Sequence, residues 1–225
     1  MATAQVLQLD RRANEQAEAS GGHDACRFLT TVLVTDIVDS TGTVARLGDR
    51  RWCELLAEHF ADCRRQVSSC GGELVNTTGD GIVAIFDGPS GAIRAAIAIQ
   101  ALARASGIAV RAGVHTGECE RLGHDVAGIT VHIAARICAL GRANQVLTTG
   151  TVRDLALGSM LAFEPRGREE LRGVPGDWMV FSATDPRSDR RARSPSRSSG
   201  RHRVRAAAAR RRALTARRGA VGQMA

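Results

Sequence analysis

The stretch FLTTVLVTDIVDST, from Phe28 to Thr41, decides the fold of this chain. Its first part, Phe28 to Thr35, is rich in β-branched and apolar residues, which predicts a buried strand that ends at Asp36. The residues after Asp36 predict a turn into a helix, whose free N–H groups can hold phosphate oxygens. These candidate phosphate-binding residues are Ile37, Val38, Asp39, Ser40 and Thr41.

Further along the chain, the hydrophobic periodicity alternates between helix and strand. Asp49 is placed to cap a long helix with one apolar face, and Gly71 and Gly72 end it. Two short strands then meet at Gly79–Gly81, a hairpin signature. The predicted segments up to residue 114 are strands Glu73–Thr78 and Ile82–Phe86, a helix from Ser90 to near Gly107, and strand Ile108–Val114.

The resulting order, βαββαβ, predicts an α+β fold with a ferredoxin-like core, in which both helices cover one face of an antiparallel sheet. A C-terminal αβαββ extension follows a loop. It comprises a helix near Thr130–Leu140, the strand Val146–Thr149, a short helix, and a closing hairpin from about Leu161 to Ala183.

This order brings two acidic residues to one edge of the sheet. Asp36 ends the first strand and Asp80 lies at the hairpin tip, and the first and third strands of such a sheet are neighbours. Two nearby carboxylates repel each other unless cations lie between them, and hard oxygen ligands favour Mg²⁺ or Mn²⁺. The sequence therefore predicts a two-metal site for phosphoryl transfer. Taken singly, each aspartate has a simpler interpretation, Asp36 as a helix cap and Asp80 as a turn residue.

Charge is distributed unevenly over the 225 residues. Residues 186–225 hold 13 arginines and one acid, for a formal charge of +12, whereas residues 1–185 hold 18 arginines and 22 acids, for −4. We therefore expect no basic nucleic-acid-binding face on the core, and a disordered Arg-rich tail over 185–225. Nucleic-acid or membrane binding by this tail is an alternative, and residues 1–27 predict a flexible arm.

The remaining features of the composition bear on the cellular compartment. No apolar run is long enough for a membrane span, and the N-terminus lacks the apolar stretch of a secretory signal, so a cytoplasmic location is expected. The six cysteines form no C-x-x-C pair, which favours buried thiols over disulfides or zinc.

Four segments, in order and spacing, resemble the class III adenylate and guanylate cyclase catalytic domain of the bacterial type. The resemblance covers about 155 residues, 28–184, and implies the nucleotide cyclase fold. The segments are TDIVDST (Thr35–Thr41), NTTGDG (Asn76–Gly81), RAGVHTGE (Arg111–Glu118) and DVAGITVHIAAR (Asp125–Arg136).

The resemblance also implies an activity. Asp36, Ile37 and Asp80 would bind two Mg²⁺ or Mn²⁺ ions per active site, in a head-to-tail homodimer whose two sites lie at the interface. Asp125 falls where adenylate cyclases accept a hydrogen bond from the adenine amino group, which favours ATP over GTP. Arg136 falls on the arginine thought to stabilise charge on the α-phosphate.

Other positions carry the resemblance less directly. Arg172 aligns with a basic residue that contacts the triphosphate. Asn76 replaces a lysine that reads adenine, and His132 replaces an asparagine that orients the ribose. Glu118 and Asp39 add negative charge near the phosphates.

Two functions therefore stay open. One is an adenylate cyclase that makes 3′,5′-cyclic AMP and pyrophosphate, and the other is a weak or inactive nucleotide-sensing or dimerisation module. A diguanylate cyclase is disfavoured, because Gly71–Glu73 leads into Leu74 and Val75 instead of a GGDEF-type hairpin.

Overall fold

The computed structural model describes residues 27–188, and the arm and tail predicted at the two ends lie outside these residues apart from their innermost positions. This part of the chain forms the eight strands and five helices given next. In order they are β1 (Arg27–Ile37), α1 (Ser40–Leu47), α2 (Asp49–Ser69), β2 (Gly72–Thr78), β3 (Gly81–Phe86), α3 (Pro89–Ala105), β4 (Val110–Leu122), β5 (Asp125–Ala127), α4 (Ile129–Leu140), β6 (Val146–Thr149), α5 (Gly150–Leu155), β7 (Ala162–Glu170) and β8 (Asp177–Thr184).

The strands form one mixed sheet in the order β2-β3-β1-β4-β6-β8-β7, with β5 paired to β4. β1 lies between β3 and β4 and is antiparallel to both, whereas β4 and β6 are parallel. The predicted α+β fold, with neighbouring first and third strands, is confirmed.

Two cores lie on opposite faces of the sheet. Helices α2 and α3 cover one face through side chains such as Leu55, Cys63 and Ile93. Val32 and Val34 of β1 point to the other face, where they pack with residues of α4. Because both faces of β1 are covered, the strand is buried along most of its length and shows no apolar–polar alternation.

Three local predictions differ from the structure. Gly48, not Asp49, is the N-cap of α2, and Asp49 is its first residue. Ser40–Leu47 forms a helix of its own. The segment after Val114, predicted as a loop, continues β4 to Leu122, because β1 supplies pairing partners as far as Arg27↔Glu120 and β5 pairs with the end of β4.

No helix among residues 27–188 is long and apolar enough to cross a membrane.

Candidate active site

Asp36 lies at the C-terminal end of β1 and is only 3% exposed. Its Cα pairs with that of Arg111 on β4. Arg111 donates to Oδ2 of Asp36 through Nε, at 2.8 Å, and also through Nη2, while its Nη1 donates to the carbonyl of Ala139, at 3.1 Å. The guanidinium thus fixes one carboxylate oxygen and compensates its buried charge.

The second carboxylate oxygen of Asp36, Oδ1, is buried and accepts no hydrogen bond within the part of the chain that the structure describes. A buried carboxylate oxygen without a donor carries a desolvation cost, so it is suited to a ligand that brings positive charge. A divalent cation has the appropriate charge and hardness.

Asp80 is 8% exposed and lies in the two-residue turn between β2 and β3. The turn packs against the end of β1: Thr35 pairs with Ile82, and Ile82 N donates to Thr35 Oγ1 at 3.3 Å. A Cβ on Gly81 would come within 2.1 Å of the Thr35 carbonyl oxygen, so only glycine permits this approach. Asp36 and Asp80 therefore lie one and two residues beyond the last β1–β3 pair.

The two aspartates fit the ligand set of a cation that also binds substrate. Residues 27–188 contain no cluster of three or more His, Cys, Asp or Glu side chains arranged to hold a metal. Mg²⁺ is commonly held by one or two carboxylates, with substrate phosphates and water completing its shell, so two carboxylates are sufficient. Ile37, the third predicted ligand, is 3% exposed and offers only its backbone carbonyl.

The predicted phosphate-binding turn is partly occupied by the chain itself. Val38 N donates to the Ala109 carbonyl at 2.8 Å. Asp39 adopts a left-handed conformation, with φ 54°, and its Oδ1 accepts a hydrogen bond from Gly42 N at 3.3 Å. The helix that Ser40 and Thr41 begin is therefore capped by a carboxylate, so its N–H groups are less available than the sequence predicted.

Asn76 and Asp125 lie together although 49 residues separate them. Asn76 Nδ2 donates to Asp125 Oδ2 at 3.2 Å. Each side chain is also fixed by a neighbouring backbone N–H at 2.8 Å, from Thr77 to Asn76 Oδ1 and from Val126 to Asp125 Oδ1. A bulge in β2 between Leu74 and Asn76 changes the direction of the strand at this point.

His132 and Arg136 are both half-buried and lie one turn apart on α4, so they share a face of the helix. This helix packs closely on β4, since a Cβ on Gly113 would lie 2.3 Å from the Ala134 carbonyl oxygen and from Cys138 N. His132 lines a cavity of about 440 Å³ together with Glu118, whose side chain is exposed.

Arg172 is exposed in the loop between β7 and β8. The buried Leu171 precedes it and packs with Ile133 and Ile137 of α4. The structure thus attaches the loop of Arg172 to the helix that carries His132 and Arg136.

Arg111 is the site residue that the sequence interpretation missed. It belongs to the segment RAGVHTGE, but no role followed from its position in the sequence. A signal was available, because an arginine inside an otherwise buried strand requires a charged or polar partner.

Most other titratable side chains in the core are neutral structural groups. His115 on β4 is 5% exposed, and burial lowers its pKa to about 4. Burial raises the pKa of the Cys138 thiol, and the nearby Asp36 carboxylate raises it further. The five cysteines within residues 27–188 are free thiols, as the sequence predicted, although Cys53 is exposed.

The comparisons with known proteins agree with this arrangement. A family described as the adenylate and guanylate cyclase catalytic domain matches residues 28–183. The chain belongs to this family. An uncharacterized protein of Mycobacterium tuberculosis, Rv2212, is 31% identical over 163 residues, which are 72% of this chain and 43% of that protein. Adenylate cyclase 1 of Rhizobium meliloti is 27% identical over 180 residues, 68% of this chain and 27% of that enzyme.

Solved structures show the same fold at low identity. The adenylyl cyclase CyaB of P. aeruginosa superposes with a TM-score of 0.68 at 18% identity, over 73% of this chain and 97% of that one. The guanylate cyclase domain of RhGC from Catenaria anguillulae, in complex with GTP, superposes with a TM-score of 0.64 at 19% identity. The match covers 72% of this chain and 99% of that one. The chain spans less than half the length of the curated relatives named above.

Proposed function

We propose that this cyclase domain converts ATP to 3′,5′-cyclic AMP and pyrophosphate with two Mg²⁺ or Mn²⁺ ions at a homodimer interface. The observation that carries this proposal is the buried carboxylate of Asp36, whose Oδ1 accepts no hydrogen bond from the described residues, beside the hairpin tip that carries Asp80. The large majority of buried side-chain oxygens in proteins accept a hydrogen bond, so the exception at Asp36 Oδ1 favours a ligand there.

The reaction forms a bond between the ribose 3′-oxygen and the α-phosphorus and breaks the bond from that phosphorus to the bridging oxygen of the β-phosphate. Pyrophosphate leaves with the bond electrons, and the 3′-hydroxyl proton passes to solvent or to a nearby base. When bound, the cations would lower the pKa of the 3′-hydroxyl and neutralise the phosphate oxygens.

The side chains of this chain have distinct tasks in the proposed reaction. Asp36 and Asp80 hold the cations, and Arg111 keeps the Asp36 carboxylate in one orientation. Arg136 stabilises charge on the α-phosphate and Arg172 binds the outer phosphates, because guanidinium groups match phosphate geometry. His132 donates to the ribose.

Adenine is the base that we propose for the pair Asn76 and Asp125. The carboxylate of Asp125 accepts a hydrogen bond from the adenine amino group, and the second N–H of the Asn76 amide donates to a ring nitrogen. Because Asn76 is already hydrogen-bonded to Asp125, the pair presents an adjacent donor and acceptor.

A head-to-tail homodimer is the assembly that we propose. Two large apolar side chains are exposed on the described part of the chain near His132: Leu29, which is 69% exposed and pairs with Glu118, and Ile129, which is 52% exposed and lines the same cavity as Glu118. Burying them against a second copy would remove apolar area from water.

The test is product formation by the purified protein with ATP or GTP and each cation. We expect cyclic AMP to form, and Asp36→Ala and Asp80→Ala each to abolish it. Equal background from the wild type and Asp36→Ala would contradict the proposal. A mixture of Asp36→Ala with Arg136→Ala should recover about a quarter of wild-type activity, because about half of random dimers would contain one intact site.

One observation favours a second candidate, a nucleotide-binding or dimerisation module without turnover. The carboxylate of Asp39 accepts a hydrogen bond at the start of α1 and places negative charge where phosphates would bind. Nucleotide binding measured by titration calorimetry, together with no product in the assay above, would support this candidate.

A further inference from the structure

A small third core connects two parts of the chain that lie far apart in sequence. Ile133 and Ile137 of α4 pack with Leu147, Leu171 and Val180, which are all at most 4% exposed. Val174, within the β7–β8 loop, and Trp178, the second residue of β8, pack against this cluster. The loop that carries Arg172 is therefore attached to the helix that carries Arg136.

Each end of this loop is fixed by a hydrogen bond. Val174 N donates to the Leu171 carbonyl at 2.9 Å, which closes a four-residue turn around Arg172 and Gly173. Gly173 has φ 80°, the positive value that the third residue of a type II turn requires. Trp178 Nε1 donates to the Pro175 carbonyl at 3.2 Å and thereby holds the other end.

Trp178 is in turn held by the sheet. Its ring meets the imidazole of His115 edge to face, with centroids 5.4 Å apart and an interplanar angle of 88°. His115 is buried on β4, and its Nδ1 lies 2.8 Å from Thr149 Oγ1, so the imidazole has a fixed orientation. Aromatic pairs of this geometry add to the stability of packing.

We propose that Trp178 is a positioning residue that holds the β7–β8 loop against α4, so that Arg172 and Arg136 act on the phosphates of one nucleotide. This inference rests on the proposed function. Arg172 is exposed, and its long side chain does not fix its own position. Displacement of a phosphate-binding group by about 1 Å can cost roughly 100-fold in rate, so the anchor of the loop determines how well Arg172 binds phosphate.

The test is a double-mutant cycle on the full chain with Mn²⁺ and ATP. We expect Arg172→Ala and Trp178→Leu each to raise KM about tenfold or more, with a smaller effect on kcat. In the Arg172→Ala background, Trp178→Leu should add less than about twofold, because it acts through Arg172. Effects that multiply in the double variant would overturn the proposal.

Two controls separate positioning from stability. Trp178→Phe loses the indole N–H but keeps an aromatic ring against His115. Its KM should therefore be close to that of the wild type, well below the KM of Trp178→Leu. Trp52→Phe changes the other tryptophan, which packs against the core under α2, and should leave KM unchanged. Thermal unfolding of every variant shows whether it is folded under assay conditions.

Fluorescence distinguishes failure of this inference from failure of the proposed function. In Trp52→Phe, Trp178 is the only tryptophan, and binding of ATP with Mn²⁺ should change its emission, whether or not product forms. Arg172→Ala should remove this change. Nucleotide that binds without altering the emission would overturn the positioning role, and absence of any nucleotide binding would overturn both proposals.

Discussion

The buried negative charge of Asp36 is compensated by the guanidinium of Arg111. Replacing Arg111 with methionine tests whether a divalent cation can compensate that charge instead. Methionine keeps a long side chain but removes the two N–H groups that bind Asp36 Oδ2. In Arg111→Met the carboxylate would be left almost fully buried without its counter-charge. We expect the variant to fold less stably and its stability to depend on divalent cations.

The size of the effect follows from the burial of the pair. Removing one partner of a buried ion pair costs about 3–5 kcal/mol. The side chain of Asp36 is 5% exposed and that of Arg111 is 25% exposed, which favours the lower end, about 3 kcal/mol. For a domain of this size, that loss lowers the Tm by about 6–12 °C. A cation at about 100 times its Kd returns roughly 2.7 kcal/mol, most of the loss.

The assay is thermal unfolding followed by circular dichroism, with and without Mn²⁺. Arg121→Met is a matched control on the same strand, because the Arg121–Glu73 pair is solvent-exposed and should contribute little. We expect Mn²⁺ to raise the Tm of Arg111→Met by more than that of the wild type. An equal shift in the two proteins, or no loss of stability in Arg111→Met, would refute the reasoning.

Three further predictions concern the rest of the core. Gly81→Ala should displace the hairpin tip and lose both stability and activity, since its Cβ would lie 2.1 Å from the Thr35 carbonyl oxygen. Gly150→Ala is the control, because its Cβ would make only ordinary contacts, at 3.9 Å and longer, and should leave the Tm nearly unchanged. Burial lowers the pKa of His115 to about 4 from an unfolded value near 6.5, so the unfolded state binds the extra proton between these pH values. The free energy of unfolding should fall by about 3 kcal/mol from pH 6.5 to 4, and urea titrations should show a smaller fall in His115→Gln. Alkylation at pH 8, followed by peptide mass spectrometry, should label the exposed Cys53 before the buried thiols, whose pKa values are raised; similar labelling rates would contradict this.

Much of the fold could be predicted from local pattern. The strand over Val146–Thr149 has the predicted bounds, and β3 starts one residue before its predicted start at Ile82. Both runs consist mainly of apolar or β-branched residues and are bounded by glycine or polar residues. The second half of β4 could not be predicted in this way. HTGECERL contains glycine and charged residues typical of a loop, and it is a strand only because distant residues of β1 and β5 pair with it.

The same distinction, between local sequence pattern and contacts of distant residues, applies to the candidate site. Asp36 and Asp80 could be identified because each lies where a strand ends, a feature that the sequence displays. The ion pair between Asp36 and Arg111 depends on the β1–β4 register, and the hydrogen bond between Asn76 and Asp125 depends on how β5 approaches β2. Such contacts are set by tertiary structure.

The strands β2, β3, β1, β4 and β5 have a further consequence, because β5 returns to β2 and closes a circuit. Backbone ladders make every junction of this circuit except the last, between β5 and β2, where the described contacts include the Asn76–Asp125 hydrogen bond. The exposed Arg121–Glu73 pair joins the end of β4 to β2 beside it. A seam made by side chains opens at far lower cost than a ladder. We therefore expect the β5 side of this circuit to open before the β1 ladders do, and amide hydrogens of β5 should exchange with deuterium well before those of β1.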